Sequence, residues 1–406
     1  MKYDHIYEKI LDARDVLKDI KHVTRLDHSS TFSRFADGEI YLKLENLQKT
    51  GSFKVRGAAY AMSQLTDNEK EAGVVAASAG NHAQGVAYAA TRLGIKSTIV
   101  MPVFSPVAKI QATEGYGAEV ILHGTSFDDA LSHALEIADN SDVTFLHPFN
   151  DEDVIAGQGT IGLEILDELP DVETIAVPVG GGGLVSGIAI AIKHQKPDVK
   201  IYGVEAKSAD AMKESLAAGK VVGVEGLDTI CDGIAVKKPG SITFEIASDL
   251  LEGVVSVEEF QVTRTLFHLL ERAKIVVEPA GTVGLAAMQH GVIDVIGKKA
   301  VAVLSGGNID MSMMSRLVEK ELFRLGRSVR VKGVILDRIG SMNKVLEVVA
   351  ESGVSVIQIS QDRSDPDIAP NKAELELVLE VPDQSAVDSM LKLLREKGME
   401  FEIHED

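Results

Sequence analysis

The chain lacks several features that would assign it to other classes of protein. Cys231 is the only cysteine in 406 residues, so an internal disulfide is excluded, and no tetrahedral zinc set is visible. No uninterrupted apolar run reaches the roughly 18 residues of a membrane helix, and residues 1–17 have no apolar signal core. With 41 Lys and Arg against 61 Asp and Glu, the net charge of -20 disfavours nucleic acid and anionic membranes. We therefore expect a cytoplasmic protein whose partners are small molecules.

The chain does have enough apolar material, 45% of its residues, for two or three domains. Helical patterns such as Ala83–Leu93 and Gln261–Ala273 alternate with short apolar runs that are typical of buried strands. These runs are Gly73–Ala77, Ser97–Met101, Thr174–Val179, Lys200–Val204 and Ala300–Leu304. The alternation predicts an α/β fold with mainly parallel, helix-covered sheets. Ligands bind such sheets beyond the carboxyl ends of their strands, so the loops that follow strands deserve most weight.

Lys54 has an unusual local sequence. The run Thr50–Ala58 reads TGSFKVRGA, in which Phe53 precedes the lysine and Gly51 and Gly57 allow close approach of the backbone. A lysine packed among such neighbours loses hydration, which lowers the pKa of its amine and frees it to attack a carbonyl. Schiff-base chemistry requires that reactivity. A lone lysine is more often a solvated surface charge, so the assignment needs support from other motifs.

The segment Ser78–His82, which reads SAGNH, directly follows the first predicted strand and precedes an alanine-rich helix. Free amides at a helix N-terminus suit an anion such as a substrate carboxylate. Asn81 adds a side-chain donor. An ordinary helix cap is the alternative, because Ser and Asn are preferred at that position.

Two more loops follow predicted strands. Gly180–Leu184 reads GGGGL, and its glycines let successive amides converge on a phosphate. A tight turn and a nucleotide-binding loop are alternatives, although the Walker Lys-Ser/Thr pair is missing and the spacing is not GxGxxG. Ser305 begins the third loop, SGGN, which on its own would be read as a turn.

Together these motifs resemble the pyridoxal phosphate (PLP) dependent threonine/serine dehydratase family, whose Ser-Phe-Lys-x-Arg-Gly signature is similar to Ser52–Gly57. Further similar segments span 101–109, 116–120, 151–160, 232–235 and 278–281, so the resemblance covers nearly the whole chain. It implies PLP fold type II, the tryptophan synthase β-like fold, with two open twisted sheets covered by helices. The catalytic region would span residues 1–326, with a smaller subdomain at about 52–150 inserted in a larger one.

The resemblance also implies roles for individual residues. Lys54 would hold PLP as a Schiff base and later act as the base that removes the Cα proton. Ser305 would face the pyridine nitrogen; a neutral hydroxyl makes the ring a weaker electron sink, which favours loss of a β-substituent over transamination. The other cofactor contacts would be Phe53, Asn81 at the phenolic oxygen, Gly233, and the phosphate loop Gly180, Gly181, Gly182, Gly183 and Leu184. The substrate carboxylate would be held by Ser78, Ala79, Gly80, Asn81 and His82.

Two positions differ from the serine racemases of the family. Racemases carry a serine as second base where this chain has Ala79, and a methyl group cannot transfer protons. The divalent-cation pocket of racemases would begin at Glu205 and continue through Ala209, but its next acidic position is Ala211. We therefore expect weak racemisation and no required divalent metal, while a monovalent ion stays possible.

The pattern changes beyond Arg327. Residues 327–406 predict the order βαββαβ of a ferredoxin-like domain, with Ser328–Asp337, Ser341–Ser352, Val354–Gln361, Lys372–Val381, Gln384–Lys397 and Met399–Ile403 as its elements. This region resembles an ACT domain, an amino-acid-sensing module. The resemblance places an effector at Asp337, Arg338, Gly340 and Ser341. A module used only for assembly is the alternative.

The resemblance thus implies an allosterically regulated threonine ammonia-lyase, which eliminates water from L-threonine to give 2-oxobutanoate and ammonia and also accepts L-serine. Serine dehydratase and serine racemase stay open, because one methyl group is worth only ~1–3 kcal/mol of discrimination. The non-enzyme alternative is an amino-acid-sensing scaffold, which the intact Lys54, Asn81 and Ser305 disfavour. A homodimer or homotetramer is expected, since sheet edges of the ACT region could pair between chains.

Overall fold

The computed structural model describes residues 2–404, so the predicted domains 1–326 and 327–406 extend past the described residues at Met1, Glu405 and Asp406. The chain forms two compact units, Met1–Ile309 and Asp310–Asp406. The helix Met311–Arg324 belongs to the second unit, whereas the domain boundary predicted from the sequence lies after this helix. Within residues 2–404, no helix is both long and apolar enough to cross a membrane.

The first unit alternates strands and helices along most of its length. Its strands are β1 Leu26–His28, β2 Glu39–Lys43, β3 Val74–Ala77, β4 Ser97–Met101, β5 Glu119–Leu122, β6 Thr144–Phe145, β7 Thr174–Pro178, β8 Lys200–Ala206, β9 Gly253–Val257 and β10 Lys299–Val303. Its α-helices are α1 Asp4–Val16, α2 Ser30–Ala36, α3 Lys54–Ser63, α4 Asp67–Ala72, α5 Asn81–Leu93, α6 Val107–Gly115, α7 Phe127–Asp139, α8 Glu152–Glu168, α9 Gly183–Gln195, α10 Ala211–Ala218, α11 Ser241–Leu250, α12 Glu259–His268 and α13 Pro279–Gln289.

These strands form two sheets. The larger one has the order β1-β2-β10-β7-β8-β9 and is parallel except for the β1-β2 pair, and the smaller one, β5-β4-β3-β6, is parallel throughout. The chain leaves the larger sheet after β2, builds the smaller sheet, and returns at β7. Parallel strands need helical crossovers, which cover both faces and keep the central strands dry.

Most predicted strands of this unit are present with nearly the predicted bounds. β4 coincides with its apolar run, β3, β7 and β8 differ from theirs by one or two residues at one end, and β10 is shifted from its run by one residue. The predicted helix Gln261–Ala273 starts earlier, as α12, and continues after His268 as a π-helical turn, Leu269–Ala273. All four residues of β3 are buried, as a strand in the middle of a helix-covered sheet should be.

The second unit contains α14 Met311–Arg324, β11 Ser328–Leu336, α15 Ser341–Glu351, β12 Ser355–Asp362, β13 Lys372–Glu380, α16 Gln384–Glu396 and β14 Phe401–Ile403. Its sheet is antiparallel with the order β12-β13-β11-β14, so the predicted βαββαβ order and ferredoxin-like topology are present. Alternate residues of β13, such as Leu375 and Leu377, are fully buried, which explains the strict alternation of its sequence.

Candidate active site

Lys54 is the first residue of α3, and its side chain is half-buried. The Nζ atom donates a hydrogen bond to the carbonyl oxygen of Pro148 at 3.1 Å and lies 5.2 Å from the centroid of the Phe53 ring. Burial lowers the pKa of the Lys54 amine to about 8, and the Glu278 carboxyl opposes this shift. An amine with this pKa is partly neutral near physiological pH and can act as a nucleophile and as a base.

The segment before Lys54 pairs with the loop that carries Ser305. Backbone hydrogen bonds join Phe53 N to Ser305 O at 3.1 Å and Gly307 N to Gly51 O at 2.8 Å. Ser305 is buried and follows β10 at the carboxyl end of the larger sheet. The structure therefore brings together Lys54 and Ser305, which the sequence assigned to one site.

The glycine loop, Gly180–Leu184, connects β7 to α9, and its glycines have no room for a side chain. A Cβ atom on Gly181 would lie 2.2 Å from the Phe149 ring, and Gly182 has a φ of +95°, which disfavours any other residue. Helix α9 begins at Gly183, so the amides of its first turn have no intrahelical acceptor. Such a cradle of amides at a helix N-terminus fits the phosphate of PLP, and the enclosed lysine amine fits its aldehyde.

The SAGNH loop, Ser78–His82, lies between β3 and α5. The Ser78 hydroxyl accepts a hydrogen bond from Gly80 N at 3.1 Å, and a Cβ atom on Gly80 would meet no atom within 4 Å, so the loop has open space beside it. Ala79 is half-buried. The His82 ring is buried, with Nε2 3.2 Å from Leu146 O, and burial lowers its pKa to about 3. The imidazole is therefore neutral and directed at Leu146.

The Asn81 amide is held on both sides. Its Nδ2 donates to Glu278 Oε1 at 2.7 Å, and its Oδ1 accepts from Asn308 Nδ2 at 2.8 Å. Asn308 Nδ2 also donates to the carbonyl oxygen of Thr50, a residue with a φ of +60°. Asn308, which is 227 residues from Asn81 along the chain, therefore connects the SAGNH loop to the lysine segment.

Sequence reasoning missed the turn that follows β6, His147–Asn150. Its Pro148 carbonyl accepts from Lys54, its Phe149 ring lies against Gly181, and Asn150 Oδ1 accepts from the backbone of Ile242 at 2.9 Å. The His147 Nδ1 atom accepts from the amides of Phe149 and Asn150, which stabilises the turn. The rule that loops after strands carry function would have found it, but β6 has only two residues and no apolar run.

Gly233, predicted to contact the cofactor, lies in a 3₁₀ turn, Asp232–Ile234, where an added Cβ would lie 3.0 Å from Ala280 Cβ. Ion pairs from Lys109 to Asp232 at 3.0 Å and from Lys237 to Asp128 connect this region to α6 and α7, which flank the smaller sheet. Both pairs are partly or largely exposed, so they are expected to contribute little stability.

The position that begins the racemase cation pocket is Glu205 at the end of β8. Its carboxylate accepts hydrogen bonds from the amides of Met212 and Lys213, both at 2.9 Å, and burial raises its pKa to about 8. Across residues 2–404, no group of three or more His, Cys, Asp or Glu side chains is placed to hold a metal ion. The expectation that no divalent metal is required stays a prediction.

In the second unit, a cavity of about 330 Å³ is lined by Ile335–Gly340, Met342, Gln361 and Arg363. It contains three of the predicted effector residues, Asp337, Arg338 and Gly340, while Ser341 begins α15 beside it. Arg363 Nε donates to Asp337 Oδ2 at 2.8 Å, which lowers the pKa of that carboxyl.

The chain belongs to the pyridoxal-phosphate dependent enzyme family, whose model matches residues 17–306. This confirms the family resemblance and the prediction of PLP as cofactor. The α/β fold predicted from the sequence is also confirmed, since the chain resembles solved structures of the type II class.

Among the relatives, an L-threonine ammonia-lyase from Thermotoga maritima is 48% identical over 396 residues, which cover 98% of this chain and 98% of that protein. The structure of the processed form of threonine deaminase isoform 2 from Solanum lycopersicum is 36% identical, with a TM-score of 0.74 over 78% of this chain and 93% of its own. The structure of maize serine racemase is 32% identical, with a TM-score of 0.73 over 79% of this chain and 98% of its own.

Proposed function

We propose that the protein is a threonine ammonia-lyase that converts L-threonine to 2-oxobutanoate and ammonia and also accepts L-serine. The observation that carries this proposal is the Lys54 amine, whose pKa burial lowers to about 8, on a segment paired with the Ser305 loop. The names of the Thermotoga and Solanum relatives support the same substrate. Bound PLP supplies an aldehyde that reacts with amines and a ring that stabilises negative charge at Cα.

Lys54 has two tasks in this proposal. Its neutral amine would hold the cofactor, and the same amine, when free, would accept the Cα proton of the substrate. The Pro148 carbonyl oxygen accepts a hydrogen bond from Nζ, which orients the amine. Both tasks need a neutral amine, which burial favours.

The remaining residues bind and orient. The amides of the glycine loop would hold the phosphate, and Asn81 would donate to the phenolic oxygen. Phe53 and Gly233 would line the ring, and Ser305 would hold the pyridine nitrogen. The SAGNH loop binds the substrate carboxylate through amides at the start of α5 and the Ser78 hydroxyl. His82 contributes its backbone amide and not its imidazole, because the Nε2 atom of the buried ring faces Leu146 O.

The test has two parts. Protein incubated with PLP and reduced with borohydride should carry the cofactor on the peptide containing Lys54, read by mass spectrometry. The same protein should release 2-oxobutanoate from L-threonine and pyruvate from L-serine. A modified lysine elsewhere in the chain, or a reduced protein with no modification, would refute the assignment.

Ala79 is expected to separate elimination from racemisation. Ala79→Ser introduces a hydroxyl that can donate a proton to Cα on the face opposite Lys54, so D-serine formed from L-serine should rise by about tenfold or more. Chiral chromatography of the products measures this change, and Ala79→Gly, which adds no proton donor, is the matched control. Equal D-serine from both variants would contradict the role given to this position.

We further propose that residues 327–406 are an ACT domain and that the cavity around Asp337 binds an amino-acid effector. Asp337 offers a carboxylate for an ammonium group, Arg338 and Arg363 offer cationic groups for a carboxylate, and Gly340 leaves room at the start of α15. Ile335, Leu336 and Met342 line the same cavity and suit an apolar side chain.

Asp337→Asn is expected to weaken the response to an amino-acid effector by about tenfold or more in half-effective concentration, because the charge that attracts the ammonium group is lost. Isoleucine, valine and nucleotide monophosphates are titrated against the initial rate of the full chain. Glu351→Gln is the matched control, since Glu351 forms an exposed ion pair with Lys397 away from the cavity lining. If Asp337→Asn and wild type respond alike, the effector does not bind at this loop.

Assembly as a homodimer or homotetramer in the cytoplasm is part of the proposal. In support, β12 and β14 are the edge strands of the second unit's sheet, and Ile357 and Ile403 on them are 58% and 38% exposed. Light scattering on the full chain distinguishes these states from a monomer.

A further inference from the structure

The Glu278 carboxylate lies where loops from distant parts of the chain meet. Glu278 is 5% exposed and immediately precedes α13, and its amide donates to Gly306 O at 3.0 Å. Its Oε1 accepts the hydrogen bond from Asn81. A Cβ atom on Gly306 would lie 2.3 Å from this oxygen, and one on Gly233 would lie 3.4 Å from it. Three segments with proposed cofactor contacts, at Asn81, Gly233 and Ser305, therefore meet around one acidic side chain.

The hydrogen-bond partners determine which way the Asn81 amide points. The Thr50 carbonyl can only accept, so Asn308 presents its NH₂ group to Thr50 and to Asn81 Oδ1. The NH₂ group of Asn81 then faces Glu278, which is an acceptor when it is ionised. Since Glu278 Oε1 accepts one N–H of Asn81, the second N–H of the same group is left to donate to another acceptor.

The charge of Glu278 responds to the groups around it. Burial and, to a smaller extent, Asp232 raise the pKa of this carboxyl to about 7, against the opposing effects of the Asn81 hydrogen bond, Lys109 and Lys54. In return, Glu278 raises the pKa of the Lys54 amine against the effect of burial. Loss of the negative charge would therefore leave the amine less basic.

We propose that Glu278 is a positioning residue that orients the Asn81 amide with a donor free for the phenolic oxygen of the cofactor and keeps the Lys54 amine basic enough to accept a proton. The inference rests on the roles proposed above for Lys54 and Asn81. Its physical reason is a balance: burial makes the amine neutral, and without an opposing charge the same burial would leave it a poor base. Gly306 is small because the carboxylate occupies the space of a side chain there.

Glu278→Gln separates the charge from the shape. The substituted amide oxygen can still accept from Asn81, but the negative charge that raises the pKa of the Lys54 amine is gone, so the pH midpoint of Lys54 reactivity should shift downward. The full chain, freed of cofactor, is labelled competitively with acetic anhydride across neutral and alkaline pH, and acetylation of Lys54 is quantified by mass spectrometry. Thr282→Val is the matched control, because it removes a hydrogen bond to the Glu278 backbone at 3.0 Å and leaves the carboxylate in place.

Glu278→Met tests the orientation of Asn81. Without an acceptor the Asn81 amide is free to rotate, so the affinity for PLP should fall by about tenfold, as expected for loss of one hydrogen bond. Binding is followed by absorbance titration of the cofactor-free chain, and circular dichroism establishes that the variant is folded. If this variant does not fold, the Glu278→Gln measurement stands alone.

A lower Lys54 midpoint in Glu278→Gln with an unchanged midpoint in Thr282→Val supports the proposal. An unchanged midpoint in Glu278→Gln overturns it, as does a folded Glu278→Met variant that binds PLP as tightly as wild type. The midpoint is measured on the cofactor-free chain, whereas attachment of PLP to Lys54 is measured by borohydride reduction. A failure of the Glu278 proposal is therefore distinguishable from a failure of the proposed function.

Discussion

Replacing Lys54 with alanine is expected to lower kcat for L-threonine by about 10⁴-fold, the upper end of what a single acid-base group contributes, because the covalent attachment point disappears together with the base. The visible absorption of the cofactor-bound protein should disappear in the same variant, since Lys54 is the proposed attachment point and follows the segment that pairs with the Ser305 loop. Absorption spectra and 2-oxobutanoate formation measure the two effects on one sample.

Lys96→Ala is the matched control, because Lys96 is an exposed lysine beside the smaller sheet and its loss changes the net charge equally. We expect it to retain the wild-type spectrum and rate. Added methylamine should restore a fraction of the turnover to Lys54→Ala by supplying a small amine to the enclosed space. Near wild-type turnover by Lys54→Ala without such an amine would rule out the role of this residue.

Five of the six inner strands of the first unit were predictable from sequence, whereas the inner strand β2 and the edge strands were not. The apolar runs that predicted strands correspond to β3, β4, β7, β8 and β10, all inside their sheets. The edge strands β1, β5, β6 and β9 are short or half-exposed along most of their length and have no continuous apolar run. A buried parallel strand must be apolar on both faces, whereas an edge strand need not be, so only the former leaves a clear pattern.

The candidate site was predictable only where a local motif carries its chemistry. The lysine run, the glycine loop and the SGGN turn each indicate a reactive side chain or a ligand-binding backbone within a few adjacent residues. Glu278 does not, because its importance arises from contacts with Asn81 and Gly306 that depend on the folded chain. The Pro148 carbonyl is another such case, since any residue has a carbonyl and only the fold places this one at the lysine amine.

The largest effect on stability is expected at Arg56, two residues after Lys54 in the same helix. Its guanidinium is fully buried and donates to both oxygens of Glu45, at 2.7 and 2.8 Å, and to both oxygens of Glu164, at 2.7 and 2.8 Å. Lys43 and Lys21 also pair with Glu164. These two bidentate arginine–carboxylate pairs hold the start of α3 against α8 and so fix the position of Lys54.

Arg56→Met is expected to lower the free energy of unfolding by about 3–5 kcal/mol, because it leaves buried carboxylates without their principal partner. Thermal unfolding midpoints at fixed cofactor concentration measure the change. In Arg56→Met with Glu45→Gln, part of the loss should be recovered, since the uncompensated charge at Glu45 is removed. Lys299→Met, which breaks an exposed pair with Asp171, should cost less than about 1 kcal/mol.

The destabilisation caused by Arg56→Met should depend on pH. Burial alone would raise the pKa of Glu164, but Arg56, Lys43 and Lys21 outweigh it and hold that pKa well below its ordinary value. A carboxyl with a depressed pKa stabilises the folded state at pH values above the ordinary pKa of a glutamate. This stabilisation is lost as the pH falls through the lower pKa of the folded state. Without Arg56 the pKa moves upward, so the carboxyl takes up a proton in milder acid and part of its penalty is relieved. The stability difference between wild type and Arg56→Met should therefore be largest at neutral pH and shrink on acidification; a difference that stays constant would mean that packing, and not charge, dominates at this site.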